Sequence, residues 1–300
     1  MSDENEAADT SSTCASCGIT EIDDIKLKEC DDCDLVKYCS DECKENHKTE
    51  HEEDCMKRAA ELRDELLFKQ PESSHLGDCP ICMIPLSLNA TKSINFECCS
   101  KSVCRGCMFA HKIREVGESI CPFCRTPEPK TEEEGKKLVM KRIEANDPVA
   151  MCREGIKQCM QSNYLSAFEY FAKAAEFGNA EAHLKLACLY HDGLGVENDE
   201  GKAAYHLEEA AIGGHPEARF NLGLEEGEKG NLERAVKHWI IAAAQGYDPS
   251  IKMLLQAFKQ EFVEKDDLTS ALRAHKAAVD ATKSPQRLEE EKFTSKVLHR

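Results

Sequence analysis

The chain has 300 residues and a formal net charge of −17, because 39 lysines and arginines stand against 56 aspartates and glutamates. Non-specific nucleic-acid binding depends on basic side chains that neutralise phosphates, so this charge argues against a nucleic-acid partner. Hydrophobic residues make up 41% and aromatic residues only 6% of the chain, a mixture that supports packed cores and favours helices over sheets.

Cysteine is frequent and unevenly placed. Fifteen of the 18 cysteines lie between Cys14 and Cys124, so the two halves of the chain are built differently. The acidic N-terminus does not resemble a signal peptide, and no apolar run reaches the roughly 18 residues needed to cross a bilayer. We therefore expect a cytoplasmic or nuclear protein without a membrane partner, in which paired cysteines bind zinc rather than form disulfides.

Residues 1–13 are acidic and polar, and we expect them to be disordered. The first cysteine cluster follows and offers eight candidate ligands: Cys14, Cys17, Cys30, Cys33, Cys39, Cys43, His51 and Cys55. Eight ligands fill two tetrahedral zinc sites with none left over. The spacing from His51 to Cys55 places both on one face of a helix, one turn apart. His47 lies on that face too, and we interpret it as a helix-surface residue or as one that supports a ligand without binding the metal.

The C-terminal half of this cluster, Tyr38-Cys39-Ser40 followed by Cys43, His51 and Cys55, resembles the MYND zinc finger. The resemblance implies interleaved ligand sets, with Cys14, Cys17, Cys39 and Cys43 on one zinc and Cys30, Cys33, His51 and Cys55 on the other. It also implies a module that binds short proline-containing peptides and has no catalysis of its own. Lys44 and Lys48 replace the usual glutamine and tryptophan, so a purely structural zinc module is the alternative.

Residues 56–76 form the predicted connection to a second cluster, with a short amphipathic helix over 56–69 that ends before Pro71. The second cluster again offers eight candidate ligands: Cys79, Cys82, Cys98, Cys99, Cys104, Cys107, Cys121 and Cys124. Their order resembles an all-cysteine RING finger. The resemblance implies a cross-brace, with Cys79, Cys82, Cys104 and Cys107 on one ion and Cys98, Cys99, Cys121 and Cys124 on the other.

The adjacent pair Cys98-Cys99 departs from the common RING pattern, in which a histidine follows the third cysteine by two residues. Counting back from Cys104, that position holds Lys101, which cannot bind zinc while it is charged. Two adjacent cysteines can chelate one metal only if the local backbone twists, so Cys98 is the weakest of the predicted ligands. His111 is the alternative ligand.

The resemblance to RING fingers implies catalysis by positioning, since a RING finger holds a ubiquitin-loaded conjugating enzyme in the arrangement that a substrate lysine attacks. Ile81 and Pro122 match the family's apolar contact with the conjugating enzyme, and Arg125 matches the cation that hydrogen-bonds to ubiquitin. His111 stands at a helix position that is often apolar in the family. A RING-shaped zinc module that binds proteins without ligase activity is therefore the alternative.

A motif recurs in the C-terminal half of the chain and consists of spaced alanines followed by a glycine. The copies are Ala167-x3-Phe171-x2-Ala174-Ala175-x2-Gly178, Ala203-x3-Leu207-x2-Ala210-Ala211-x2-Gly214 and Ala235-x3-Trp239-x2-Ala242-Ala243-x2-Gly246. A fourth, degraded copy begins at Ala271 and has Thr282 in place of the glycine. We expect two helices per copy, with each glycine in a left-handed conformation after the second helix. Asn198 or Asp199, and Asn231, are candidate N-caps.

Residues 148–284 resemble Sel-like repeats, relatives of the tetratricopeptide repeat, through motifs such as Leu189-Tyr190-x2-Gly193-x-Gly195. The resemblance implies a right-handed superhelical stack whose concave side binds partner proteins. Burial of a continuous apolar seam would explain the same alanines and leucines. Cys152, Cys159 and Cys188 lie on apolar helix faces, where we expect buried structural thiols.

The predicted fold is a pair of small zinc-stabilised α+β modules, of the MYND and RING cross-brace types, followed by an all-α helical-repeat solenoid. The predicted segments are a disordered tail 1–13, a MYND-type finger 14–55, a helical linker 56–76, a RING-type finger 77–127, a linker and helix 128–147, repeats 148–284 and a C-terminal tail 285–300. Four Zn²⁺ ions are expected. The predicted function is a ubiquitin-protein ligase or ligase-like adaptor whose partners are a ubiquitin-conjugating enzyme and an unknown substrate. The alternative is a non-catalytic scaffold.

Overall fold

The structure is a computed structural model that describes residues 13–22, 24–114 and 119–298. Contacts within the chain divide it into two compact units, Met1–Lys69 and Gln70–Arg300. The predicted acidic tail lies outside the described residues except for Thr13. The cysteine-rich region followed by helical repeats confirms the predicted fold class.

The first unit contains a short antiparallel pair, β1 (Lys28–Glu29) and β2 (Lys37–Tyr38), and one long helix, α1 (Asp41–Leu67). The Ser40 hydroxyl accepts a hydrogen bond from the Cys43 N–H and caps α1 at its N-terminus. The buried residues at the centre of this unit are mostly cysteines, grouped around Tyr38. An apolar core this small does not hold such a module together without metal ions or another cross-link.

Helix α1 is longer than the sequence indicated. The helix predicted over 56–69 is present as far as Leu67, but it is not a separate spacer, since those residues continue the finger's own helix. The physical reason is that neither glycine nor proline interrupts the chain between Ser40 and Leu67, so nothing ends the helix after the last cysteine of the cluster.

The second cysteine cluster folds around an antiparallel hairpin and a helix. Strands β3 (Ser93–Asn95) and β4 (Ser102–Cys104) pair with Ile94 opposite Val103, and α2 (Arg105–Arg114) follows directly. Its core combines ligand-type and apolar side chains: Cys79, Leu86, Phe96, Val103, Cys104, Cys107, Met108 and Cys121. The β4 strand and α2 thereby bring Cys104 and Cys107 to the centre of the module.

Helices account for most of the remaining chain. Their bounds are α3 (Glu132–Glu144), α4 (Pro148–Met160), α5 (Tyr164–Glu176), α6 (Ala180–Asp192), α7 (Glu200–Ile212), α8 (Pro216–Glu228), α9 (Leu232–Ala244), α10 (Asp248–Lys259), α11 (Lys265–Ala281) and α12 (Pro285–Leu298). In the part of the chain that the structure describes, none of the helices has the length and apolar character required to cross a membrane.

Helices α4 to α11 pair in sequence, and each pair contains one copy of the alanine motif. The motif alanines Ala167, Ala174, Ala210 and Ala242 are fully buried, because a methyl side chain lets neighbouring helices approach closely. The glycines after the second helices, Gly178, Gly214 and Gly246, have φ angles of 73°, 81° and 86°, which confirms the predicted left-handed positions.

The repeats test two predictions, the helix N-caps and the buried cysteine thiols. The Asp199 carboxylate accepts the Lys202 N–H at 3.0 Å and caps α7, as predicted. Asn231 precedes α9 but makes no such bond, because its side-chain amide donates to Glu226 instead. Cys152 is buried as expected, Cys159 is half-buried, and Cys188 is exposed, so the prediction of a buried thiol is wrong for Cys188.

The last helix, α12, packs on the second cysteine cluster. The rings of Phe109 on α2 and Phe293 on α12 lie 5.1 Å apart, and Lys92 forms an ion pair with Glu291 at 2.8 Å. The backbone of Arg287 lies so close to Gly106 that a Cβ at this glycine would be 2.8 Å from the Arg287 nitrogen. The C-terminal segment is thus an ordered part of the second unit.

Candidate metal centres

The first unit brings its eight candidate ligands together as two groups of four. One group is Cys14, Cys17, Cys39 and Cys43, and the other is Cys30, Cys33, His51 and Cys55; within each group the ligand atoms lie within 4.8 Å of one another. The groups are interleaved along the chain, as the MYND resemblance implied. Each group takes one pair of residues from the N-terminal loops and one pair from the region of α1.

Local hydrogen bonds shape the loops that carry these side chains. The Cys14 N–H donates to the Ile19 carbonyl at 2.8 Å, and the Cys30 N–H donates to the Val36 carbonyl at 3.0 Å. Each bond closes a tight turn around a cysteine pair. His51 on α1 is buried, and its Nε2 faces the Cys33 sulfur at 3.1 Å.

His47 lies one helical turn before His51 and belongs to neither group. A hydrogen bond of 3.1 Å joins its Nδ1 to the Tyr38 hydroxyl, and its ring stacks on the ring of His51 with centroids 5.8 Å apart. The side chain of His47 therefore supports the orientation of the His51 imidazole, and the predicted choice of His51 over His47 agrees with this geometry.

The second unit also groups the eight cysteines of its cluster in fours. Cys79, Cys82, Cys104 and Cys107 form one group and Cys98, Cys99, Cys121 and Cys124 the other, with sulfurs within 4.8 Å of one another in each. The two groups alternate along the chain, which is the cross-brace arrangement that the RING resemblance implied. A cross-brace ties loops that are distant in sequence into one small module.

Two hairpins with the same hydrogen-bonding pattern hold the first and the last cysteine pairs of this cluster. In the first, the Cys79 N–H donates to the Ile84 carbonyl, and the Met83 N–H donates to the Cys79 carbonyl. In the second, Cys121 and Arg125 take the places of Cys79 and Met83. Met83 and Arg125 have φ angles of 54° and 63°, an uncommon conformation for residues other than glycine. Both hairpins carry the same Cys-Pro-x-Cys sequence, at residues 79–82 and 121–124.

The adjacent pair Cys98-Cys99 reaches one group through a local twist. Ser100, the next residue, has a φ of 55°, so the chain turns sharply after the pair. The Cys98 sulfur lies 3.3 Å from the Cys124 sulfur, and the Cys99 sulfur lies 3.9 Å from the Cys121 sulfur. His111, the alternative ligand, instead donates from Nε2 to the Ile120 carbonyl at 3.2 Å.

The donor sets fit zinc by distance and by chemistry. Tetrahedral zinc with Zn–S bonds of about 2.3 Å holds its sulfurs about 3.8 Å apart. Sulfurs from different cysteine pairs lie at 3.6 Å for Cys17 and Cys39, 3.7 Å for Cys30 and Cys55, and 3.8 Å for Cys82 and Cys104. The hydrogen bond between the Cys79 and Cys104 side chains lowers the pKa of Cys79 to about 4 and raises that of Cys104, so the Cys104 thiol keeps its proton where no metal is bound.

Arg287 on α12 is a residue of this centre that the sequence did not indicate. Its guanidinium donates to the Pro85 and Ile84 carbonyls at 2.7 Å and 3.0 Å and points one N–H at the Cys82 sulfur at 3.5 Å. These hydrogen bonds hold the first hairpin from outside the ligand group. A cation beside a thiolate stabilises its negative charge, so Arg287 supports both the geometry and the charge of the site.

Replacement of Arg287 by alanine is expected to weaken zinc binding by the second finger about 10-fold, the lower end of the range for residues that orient metal ligands. Zinc transfer to a colourimetric chelator measures this effect as a faster release phase. Lys292→Ala on the exposed face of the same helix is the matched control and should release zinc like the parent. Equal release from the Arg287→Ala and parent chains would show that the guanidinium does not support the site.

The expected partner-binding residues of the second finger lie at its surface. Ile81 in the first hairpin is 41% exposed, whereas Pro122 in the second hairpin is half-buried and its neighbour Phe123 is 43% exposed. Arg125 is also exposed and directly follows the last cysteine. Both hairpin tips therefore present apolar side chains to solvent.

Comparison with known families identifies two of the modules. The family model of the MYND finger matches residues 14–55, and the model of the Sel1 repeat matches residues 150–179, 180–215 and 216–247. The chain therefore carries a MYND finger and three Sel1 repeats, and the fourth helix pair, α10 and α11, lies outside the matched repeats. These modules make the chain a zinc-finger protein of the protein-interaction class.

Relatives share only parts of this chain. Chitin synthase regulatory factor 4 from Schizosaccharomyces pombe is 33% identical over 104 residues, which cover 34% of this chain and 16% of that protein. A Sel1 repeat protein from Oxalobacter formigenes is 26% identical with a TM-score of 0.43, covering 51% of this chain and 66% of that one. A protective antigen of uropathogenic Escherichia coli strains displaying an SLR fold is 22% identical with a TM-score of 0.38, covering 54% and 36%. This chain thus spans less than two thirds of each relative.

Proposed function

We propose that this chain is a RING-type ubiquitin-protein ligase or ligase-like adaptor. In this proposal the second finger, residues 77–127, docks a ubiquitin-conjugating enzyme, and the Sel1 repeats recruit the substrate. The sixteen grouped cysteine and histidine side chains hold four zinc ions. The finger performs no covalent chemistry itself, because the conjugating enzyme carries ubiquitin as a thioester and the ligase only orients it.

The observation that supports this proposal is that three side chains of one cross-braced module lie where a partner could contact them. Ile81 and Pro122 lie in two hairpins of the same hydrogen-bonding pattern, in which Ile81 corresponds to Phe123 and Pro122 corresponds to Pro80. Arg125 occupies a left-handed position in the second hairpin and directly follows the last cysteine. Apolar hairpin tips beside a cation suit a partner surface that is apolar in one part and offers hydrogen-bond acceptors in another.

A second function, a non-catalytic scaffold, is favoured by one feature of α2. The helix position that often holds an apolar residue in RING fingers holds His111, which is committed to a hydrogen bond with Ile120. The contact with a conjugating enzyme would then be poorer. The relative named chitin synthase regulatory factor 4 is compatible with this role, in which zinc fingers and repeats assemble a complex around an enzyme.

Discharge of ubiquitin from a loaded conjugating enzyme onto free lysine separates the two functions. Arg125→Ala is expected to slow discharge while zinc content and docking stay unchanged, because this side chain acts on the bound thioester complex. Ile81→Ala should weaken docking itself, by about 25 cal/mol for each Å² of apolar surface that docking no longer buries. A binding titration with an unloaded conjugating enzyme distinguishes the two defects.

Ile113→Ala is the matched control for Ile81→Ala, because Ile113 is exposed on α2 of the same finger but lies on the side that borders α12. It should dock and discharge like the parent. If the parent chain accelerates discharge from none of a broad panel of conjugating enzymes, the ligase proposal fails and the scaffold remains.

A further inference from the structure

A fifth group of metal-binding side chains lies in the second unit, away from the cysteine clusters. His75, Glu181 and His215 place one ligand atom each within 4.8 Å of the others. The Glu181 Oε2 atom lies 2.9 Å from the His215 Nε2 and 3.7 Å from the His75 Nε2. The three residues, which we call the triad, come from the loop before the second finger, the first turn of α6 and the residue that precedes α8.

Backbone contacts fix the position of this triad. The His75 N–H donates to the Gly214 carbonyl at 3.0 Å, which holds the loop beside His215. Gly214 has a φ of 81°, and a Cβ at this position would lie 2.9 Å from the Ser73 carbonyl oxygen. Close approach of the two backbones therefore requires glycine here. The triad is built by the fold and does not depend on mobile side chains alone.

The hydrogen bonds of the triad leave one buried nitrogen without a partner. His75 Nδ1 is buried and has no hydrogen-bond partner among the described residues. A neutral imidazole has a lone pair on one ring nitrogen and an ionised carboxylate offers two acceptor oxygens, so all three side chains can act as metal ligands.

We propose that His75, Glu181 and His215 bind a divalent transition-metal ion, with zinc as the best match. Two imidazoles and one carboxylate form a ligand set that suits zinc and related ions and leaves a fourth coordination position for water or a partner's side chain. The site is independent of the proposed ligase function. It would fasten the loop that leads into the second finger to the repeat array through a metal bridge.

Metal binding requires two adjustments. The imidazoles of His75 and His215 are stacked, with centroids 3.9 Å apart and planes within 15°, so one ring must turn before both nitrogens point at one ion. His215 Nδ1 accepts the Ala218 N–H at 3.4 Å, and coordination through Nε2 would place the proton on Nδ1 and end this long hydrogen bond. Lys185 donates to the other Glu181 oxygen at 3.0 Å, which leaves Oε2 for the metal.

Zinc content of the intact chain tests the proposal. The parent, loaded with zinc and then desalted, should contain one zinc ion more per chain than either His75→Gln or Glu181→Gln. His183→Ala is the control, because this histidine is half-buried on the same helix as Glu181 but lies outside the triad, and it should match the parent. His75 lies outside the repeat helices, so His75→Gln reports on the site even if Glu181→Gln disturbs α6.

Cobalt substitution identifies which site each variant has disabled. Cobalt bound by the cysteine groups shows thiolate-to-metal charge-transfer absorption, whereas the triad contains no sulfur. The difference spectrum between parent and His75→Gln should therefore show cobalt absorption without a charge-transfer band. Equal metal content in the parent and both glutamine variants would overturn the proposal and leave the triad as an ion pair with a stacked histidine. A difference spectrum with a thiolate band would also overturn it.

Discussion

Removal of zinc is expected to unfold both cysteine-rich modules while the repeat helices keep their structure. Structural zinc sites contribute on the order of 10 kcal/mol or more of folding free energy, far above what the small cores around Tyr38 and Val103 can supply. None of the cysteine groups includes a residue of α4 to α11, so the repeats retain their own buried seam. Hydrogen–deuterium exchange before and after chelation measures the effect segment by segment.

The expected pattern of exchange is specific. Amides of residues 14–55 and 79–114 should lose protection when a strong chelator removes the metal, and amides in α5 and α9 should exchange at the parent rate. The repeats thus serve as the internal control within the same chain. Retained protection in the finger residues after metal analysis shows no zinc would contradict the dependence of these modules on their ions.

Truncation of Phe171 to alanine is expected to destabilise the repeats by about 3–5 kcal/mol, the cost typical of removing a fully buried phenylalanine. Phe171 is 0% exposed and fills the space left by Gly155 on α4, where a Cβ would lie 2.6 Å from the ring. The truncation leaves a cavity between α4 and α5 that a glycine on the facing helix cannot fill.

Urea unfolding followed by circular dichroism at a helix wavelength measures this destabilisation as a lower midpoint. Phe177→Ala at the end of the same helix is the matched control, because Phe177 is 53% exposed and its truncation should change the midpoint little. A Phe171→Ala chain that unfolds at the parent midpoint would show that the repeat core is packed differently from the arrangement described here.

Local spacing in the sequence was enough to find most of the candidate ligand pairs and the repeat units. Pairs separated by two or three residues can face one ion wherever the chain places them. Which two pairs share an ion was implied by the resemblance to MYND and RING fingers and not by the spacing. The left-handed glycines, such as Gly214, follow from the same kind of local rule. The alanine motif likewise located the helix pairs, including the fourth pair that the Sel1 repeat matches do not cover.

Features that depend on distant parts of the chain could not be predicted. Arg287 lies 205 residues after Cys82, and no local pattern links the two. The triad joins His75 to Glu181 and His215 through the packing of a loop on two repeats. The length of α1 differs from the prediction for another reason, since the last cysteine of a cluster does not end a helix where no helix-breaking residue follows it.

The number of zinc ions held by the two fingers is the quantity that decides whether both are cross-braced. Native mass spectrometry of the intact His75→Gln chain, in which the triad cannot contribute, gives this number without interference from the proposed fifth site. The four groups of cysteine and histidine side chains predict four zinc ions per chain. Three ions would mean that one of the four groups does not bind zinc. Serine substitution of the Cys98-Cys99 pair would then test whether its group is the one without an ion. Two or fewer would contradict the pair of cross-braced fingers.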